Sequence, residues 1–525
     1  MNTFDVIVIG AGINGAGIAR DAAKRGLSVL LVDKADVGSG TSSWSTRLIH
    51  GGLRYLEQAE FGLVRESLRE RETLLKLAPH LVRQLPILFP IYENSRRGPK
   101  KIRTGMLLYD LLSFDKSLPW HQILSRDEAL ERVPGLNQEG LLSAVVYNDA
   151  QVEFPERLVL ENVLAAQSSG ATILTYTRVT RLLTAADRCL GVEFVDTAGG
   201  RQKASGELVV NAAGPWVDKL LAGVTESSER LIGGTKGSHI VVRPFPGAPS
   251  CALYVEAAGD GRPFFVIPWN GRYLIGTTDI RFTDDPDDAW TELWEVDYLL
   301  NETNRVFPGA KLTRRNISFT YSGVRPLPYT DNQLEASITR RHFVRQHPRL
   351  KNLLSVVGGK LTTYRNLAQE CVDLIAVKLQ RRLPACVTAT EPLPGGHEYS
   401  LFCDGFRRRN SFLPAVTERL LRIYGTRANE VEKICAQELS LGRTFNRTAD
   451  ALAAELVLSF ESEMAQNLSD CLLRRTMLGL NMDLGIGDDQ KVAEIAKDIF
   501  GWSESRVAEE VASYRKVVGK LRVQG

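Results

Sequence analysis

Phe4-Asp-Val-Ile-Val-Ile-Gly-Ala-Gly-Ile-Asn-Gly15 carries a short apolar run straight into a glycine triplet. Phe4 to Ile9 has the composition of a strand buried on both faces. Ala16 to Lys24, rich in alanine, reads as a helix that stops at Gly26. Ser28-Val-Leu-Leu-Val32 follows as a second buried strand, closed by Asp33. Strand, glycine turn, helix, strand and acid in this register make a dinucleotide-binding unit. Gly10 allows the tight turn, Gly12 lets a pyrophosphate approach the backbone, and Gly15 lets helix and strand pack closely. The start of the helix offers N–H groups and positive dipole to that pyrophosphate. Asp33 is placed to accept hydrogen bonds from an adenosine ribose.

The residues that follow favour FAD over a nicotinamide. Gly38-Ser-Gly-Thr-Ser-Ser-Trp-Ser-Thr46 is a glycine-bearing loop rich in hydroxyls, suited to run beside an extended pyrophosphate and ribityl chain. No second full glycine fingerprint appears downstream, so a separate nicotinamide site has no visible home. The cofactor contacts expected here are Gly10, Gly12, Asn14, Gly15, Asp33 and Lys34, joined by Thr41, Ser42 and Ser45 from the loop. Arg178-Val-Thr180 reads as a strand near the adenine, with Val179 as its contact.

Bulk properties narrow the alternatives. A chain of 525 residues implies two or three domains, and 24% charged with 44% hydrophobic residues reads as soluble and globular. A net charge of +3 makes no case for a nucleic-acid binder. The seven cysteines are scattered without a Cys-x-x-Cys pair, and the seven histidines do not cluster, so neither disulfides nor a metal site are expected. No basic residue precedes the first apolar run and Asp5 abuts it, which favours a strand over a signal peptide. No stretch reaches the roughly 18 apolar residues of a membrane span.

Four further segments carry chemistry. Arg47-Leu-Ile-His50-Gly-Gly-Leu-Arg54-Tyr55 sets an imidazole, guanidinium groups and a phenol beside two glycines. Lys236-Gly-Ser-His239 opens an apolar strand, and Thr320-Tyr-Ser-Gly-Val-Arg325-Pro fixes an arginine between turn residues. Leu353-Leu-Ser-Val-Val-Gly-Gly-Lys360-Leu-Thr-Thr363 is a buried strand, a double-glycine turn and a helix start, built to face an anion or a flavin. Gly359, Lys360, Leu361 and Thr362 are its expected cofactor contacts.

In this order the segments resemble the FAD-dependent, aerobic respiratory glycerol-3-phosphate dehydrogenase family. Asn211-Ala-Ala-Gly-Pro-Trp216, Val266-Ile-Pro-Trp269 and Leu274-Ile-Gly-Thr-Thr-Asp279 belong to the same pattern, as do Tyr424-Gly425, Leu473-Arg-Arg-Thr476 and Gly501-Trp502 further on. Asp149 to Leu158 departs from it, and Glu153 is given no role. The resemblance implies an α/β fold: a Rossmann-like FAD-binding domain of the glutathione-reductase-like type, an inserted antiparallel-sheet substrate (cap) domain and an all-α C-terminal domain. It adds Ala213 and Gly214 to the cofactor contacts. The implied reaction is oxidation of sn-glycerol 3-phosphate to dihydroxyacetone phosphate, with hydride passing to flavin N5 and electrons to a membrane quinone. Arg54 and Arg325 suit a phosphate clamp because the guanidinium fork matches phosphate bidentately. Tyr55, Lys360 and His50 complete the substrate contacts expected, and Lys360 faces negative charge on flavin or alkoxide. His239 is the first choice for the general base and His50 the second, since a histidine among cations stays neutral.

Residues 1–80, 140–235 and 330–385 are expected to form the FAD domain, 81–139 and 236–329 the cap, and 396–525 the helical domain, after the linker Pro392-Leu-Pro-Gly-Gly396. Leu456, Phe460, Met464, Leu468 and Leu472 recur every four residues and predict one amphipathic helix; Val492, Ile495 and Ile499 predict another, closed by Gly501. Arg96-Arg-Gly-Pro-Lys-Lys-Ile-Arg103 precedes the apolar Met106 to Leu112; the pair reads equally as a peripheral contact with anionic membrane or as a solvated turn before a core helix. A cytoplasmic chain, at the inner face of the cytoplasmic membrane in the first case, follows, with a homodimer among the arrangements open to it. The competing readings are an oxidase that returns electrons to oxygen, an amine or amino-acid oxidase, and an RNA-directed protein. The last has only Arg407-Arg-Arg409 and Arg474-Arg475 as basic clusters in the tail.

Overall fold

The computed structural model describes residues 2–224, 229–331 and 337–523. The strand Asn2–Ile9 lies between parallel neighbours Val29–Val32 and Arg201–Asn211, with Val6, Ile7 and Val8 fully buried. Burial on both faces is why these strands read as unbroken apolar runs. Among the described residues the sheet has eight strands; Thr172–Leu174 lies beside Val29–Val32, Leu353–Val357 and then Phe343–Gln346 lie beyond Arg201–Asn211, and a hairpin of Arg178–Ala185 and Arg188–Val195 pairs onto Arg201–Asn211. The helix Ile13–Lys24 packs against Pro155–Ser168 and Tyr364–Leu379. Its close approach to the first strand rests on Gly15, where a Cβ would stand 1.8 Å from the Gly10 carbonyl oxygen.

The second sheet has, among the described residues, ten strands, antiparallel except where Ala252–Glu256 runs parallel to Val82–Tyr92. Its centre is Thr235–Val242, Arg272–Gly276, Pro263–Trp269, Ala252–Glu256, Val82–Tyr92 and Leu141–Val152, with Ile317–Arg325 paired to Thr235–Val242. Alternation sorts its side chains: Leu85, Ile87, Phe89 and Ile91 enter one core, while Leu88 enters the other, beneath the helix Leu293–Val306. One expected boundary moves. The sequence reading assigns residues 140–152 to the FAD domain, whereas Leu141–Val152 pairs along its length with Val82–Tyr92, and Leu48–Ile49 joins it on the same sheet.

Helices Tyr399–Arg409, Pro414–Tyr424, Ala428–Gln437, Asp489–Phe500 and Glu504–Gly519 build the rest, and Gly501 closes the fourth in a left-handed conformation as its sequence predicts. The single helix expected through 456–472 is broken. Ala454–Val457 runs into a π turn at Leu458–Ser462, Met464 takes φ +60°, and Asn467 caps a new turn at Leu468–Asp470. Glu463, fully buried between Arg157 and Arg427, draws the backbone off the helical path. The expected linker is packed rather than loose: Leu393 is fully buried, and the Gly395 amide donates to Glu161. Among the described residues no helix is long and apolar enough to cross a membrane.

Candidate active site

The glycine turn, the hydroxyl loop and the end of Leu353–Val357 enclose a cavity of about 840 Å³. Gly10, Gly12, Asn14, Asp33 and Lys34 line it on one side, with Thr41, Ser42 and Ser45 from the loop; Val179, Ala213, Gly214, Gly359, Lys360 and Leu361 line the rest. The remaining expected contacts lie just behind it. Gly15 supports the turn, and Thr362 is spent on the backbone of His50, accepting from its N–H at 3.2 Å.

This cavity fits FAD. Gly12 caps the helix with no side chain of its own, so the helix start faces the space, with Ser42 Oγ accepting from the Ile13 N–H at 3.0 Å. The Asp33 carboxylate accepts from the amides of Ala11 (2.6 Å) and Ala35 (2.8 Å). Burial nevertheless pushes its pKa up to about 6, a cost that hydroxyl donors of a ribose would relieve. Asn14 Oδ1 is buried without a partner beside Gly359, whose φ of +97° lets the double-glycine turn approach it. Lys34 has its ammonium on Asp287 and over the Trp216 ring, so here it lines the cavity wall as part of an ion pair.

Around Lys360, which lines the cavity, several chemistry-bearing side chains gather. Lys360 donates to the His50 carbonyl (3.1 Å) and to Ser67 Oγ (3.0 Å), and its ammonium stands 4.9 Å from the centre of the Tyr55 ring. Strand register puts Arg325 opposite Thr235 and Tyr321 opposite His239. Arg325 donates to Asp279 at 3.0 Å and Thr277 Oγ1 at 3.1 Å, and Gly237 makes the room: a Cβ there would fall 2.1 Å from the guanidinium. Arg54 and Arg325 both act electrostatically on Tyr55. His239 stacks on Tyr321 at 4.8 Å and shares a 3.0 Å hydrogen bond from Nε2 with Thr46 Oγ1, while its buried Nδ1 has no partner.

Electrostatics fix the protonation states. Burial first, then Arg325 and Arg47, hold His239 well below the usual imidazole range; burial, Lys360 and Arg71 do the same to His50. Both rings are therefore neutral near pH 7. Burial lowers Lys360 to about 8, against the pull of Asp149, Glu66 and Glu60.

Three residues were not singled out from the sequence. Arg340 shares Asp279 with Arg325 at 3.1 Å and acts on Tyr55 and Lys360; no glycine or proline beside it marks it. Asp279 ends a quoted run and Thr46 the hydroxyl loop, so both lay in view without a role. Glu153 pairs with Arg422, and its carbonyl accepts from Arg47 and the Trp269 indole. Arg474 and Arg475, one of the two basic clusters of the tail, are buried and ion-paired with Asp36.

Comparison with known proteins places this geometry. Residues 5–365 match the FAD dependent oxidoreductase family, and residues 386–507 match the C-terminal domain of alpha-glycerophosphate oxidase. A glycerol-3-phosphate dehydrogenase of Synechocystis sp. is 45% identical over 98% of this chain and 96% of its own. The chain belongs to the FAD-dependent glycerol-3-phosphate dehydrogenase family. It is an enzyme of that family, and FAD is its cofactor. The crystal structure of a family member from Bacillus halodurans, complexed with FAD, aligns with a TM-score of 0.81 at 28% identity, covering 99% of this chain and 95% of that one. A D-erythritol 1-phosphate dehydrogenase of Brucella abortus is 37% identical over 90% of this chain and 94% of its own. The family fold thus spans the nucleotide sheet, the cap sheet and the helical region together.

Proposed function

We propose that the chain oxidises the secondary alcohol of sn-glycerol 3-phosphate to dihydroxyacetone phosphate and passes the electrons to a respiratory quinone. FAD, when bound, supplies the hydride acceptor at flavin N5. Arg54 and Arg325 bind the phosphate, which brings about −1.5 to −2 charges and several acceptor oxygens, and Arg340 adds a third guanidinium. Tyr55 and Lys360 flank the substrate, and the Lys360 ammonium stabilises the developing alkoxide. His239 takes the hydroxyl proton at an imidazole nitrogen, with His50 as the second candidate. The observation that carries this reading is the cluster of Arg325, Arg340 and Lys360 around Tyr55, beside two neutral histidines. A site so rich in positive charge favours a phosphate over the amine of an amino-acid substrate. Anaerobic titration of the purified yellow protein with glycerol 3-phosphate should bleach the flavin absorbance; an unbleached spectrum removes this substrate.

The match of residues 386–507 to a glycerophosphate oxidase domain supports oxygen as the competing acceptor. Peroxide yield measured against turnover with a quinone analogue separates the two. Quinone access requires a membrane, and the helix Pro99–Leu112 supports peripheral attachment at the inner face. It turns Met106 and Tyr109 into the core while exposing Lys100, Arg103, Leu107 and Leu111, with Phe114 beyond. Neutralising the basic residues of 96–103 should abolish co-sedimentation with anionic liposomes; unchanged binding would sink the membrane reading.

A further inference from the structure

The helical region reaches into the nucleotide unit through buried charge. Asp36, just past Asp33 on the turn after the second strand, is almost fully buried. Arg475 grips it with both ends of its fork at 2.8 Å, and Arg474 adds a third hydrogen bond. Arg474 also donates to Asp470 at 2.6 Å, which accepts the hydroxyl of Tyr176. Tyr176 in turn holds the Asp33 turn by its backbone, donating to the Ala35 carbonyl at 3.1 Å, while the Thr177 amide donates to the Asp33 carbonyl at 2.7 Å. The Ala35 amide is itself one of the two donors that orient the Asp33 carboxylate. The chain of contacts runs unbroken from the helical region to the group that faces the ribose.

We infer that Arg474 and Arg475, acting through Asp36 and Tyr176, are positioning residues for the adenosine half of FAD. This rests on Asp33 being the ribose acceptor. The geometry gives the helical region a task in cofactor selection: it fixes the turn on which Asp33 rides, and it neutralises a second buried carboxylate next to Asp33. Burial opposes charge on Asp36, yet the two guanidinium groups hold its pKa down to about 2. Without them Asp36 would be a buried acid stripped of both partners next to Asp33, and the turn would relax toward solvent.

FMN, which lacks the adenosine half, distinguishes this from a general structural role. Full-length apoprotein is titrated with FAD and separately with FMN, following flavin fluorescence. Two variants are compared with the wild type. Asp36→Asn combined with Arg475→Gln removes both charges of the pair together, and Tyr176→Phe removes a single hydroxyl. The expected result is an FAD dissociation constant raised about tenfold in the double variant and about threefold in Tyr176→Phe, with FMN affinity unchanged. If the double variant does not fold, Tyr176→Phe carries the comparison. Equal loss of FAD and FMN affinity, or no loss of either, overturns the inference. A wild type that binds FMN as tightly as FAD would instead remove the ribose role of Asp33, and the inference with it.

Discussion

Lys360 is the residue whose charge the site adjusts within the working range of pH. Its pKa is lowered from 10.5 to about 8, so the ammonium is present below that pH and lost above it. His239 and His50 are lowered well below 6.5, so both imidazoles are already neutral at pH 7, the state the proposed base requires, and charge only far on the acid side. The expected profile of kcat/KM is a plateau around neutrality that falls as pH rises through about 8. Lys360→Arg keeps the positive charge at high pH and should erase that alkaline fall; the same fall in the variant would assign it to another group. Arg325 has a different weakness, because its fork already serves Asp279 and Thr277, and the proposed phosphate contact would have to share it. Arg325→Lys replaces the fork by a point charge and should lower kcat/KM by about 10- to 100-fold, read from the rate of anaerobic flavin bleaching. Arg340, which shares the same acid, was invisible in the sequence because a loop arginine is ordinarily a solvated charge, and only long-range packing brings it to Tyr55.

Strand pairing, not local sequence, aims Arg325. Gly237 sits opposite Gly323 in the ladder, and the missing side chain leaves the space the guanidinium occupies. Gly237→Ala should leave the protein yellow, since this residue does not line the nucleotide cavity. The new methyl displaces a flexible side-chain end rather than backbone, so the KM for glycerol 3-phosphate should rise at least tenfold; a colourless product or an unchanged KM contradicts the argument. The same distinction explains what could be read in advance. The strand–helix–strand unit up to Asp33 was legible because its glycines, apolar runs and acid are local signals. The pairing of Leu141–Val152 was not, because its partner is chosen by a distant strand. The run 456–472 misled for another reason: the segments at its two ends, 451–459 and 470–480, are buried all round, so spacing of apolar residues no longer reports a single helix, and a buried acid, Glu463, lies at the break between them.

On the scale of the molecule, the helical region and the cap share one core. Phe89, Tyr147, Trp269 and Phe319 of the cap sheet belong to the same buried cluster as Phe406, Leu420, Leu456 and Tyr514 of the helices. The Thr320 amide, on the strand that carries Arg325, donates at 2.6 Å to the Leu521 carbonyl beyond the last helix. A large apolar interface of this kind couples the units it joins, whereas small polar ones let domains move and unfold apart. The helical domain expected over 396–525 is tied to the rest of the chain through the packed segment around Gly395 and the buried Arg157–Glu463 pair. Removing everything after residue 385 would strip one side of that core and leave its apolar side chains facing solvent. The truncated chain should therefore fail to yield soluble yellow protein, while the full chain unfolds in a single calorimetric transition that FAD moves upward. Two separate transitions, with FAD still bound after the first, would show that the helices fold as a detachable unit and that the common core does not govern stability.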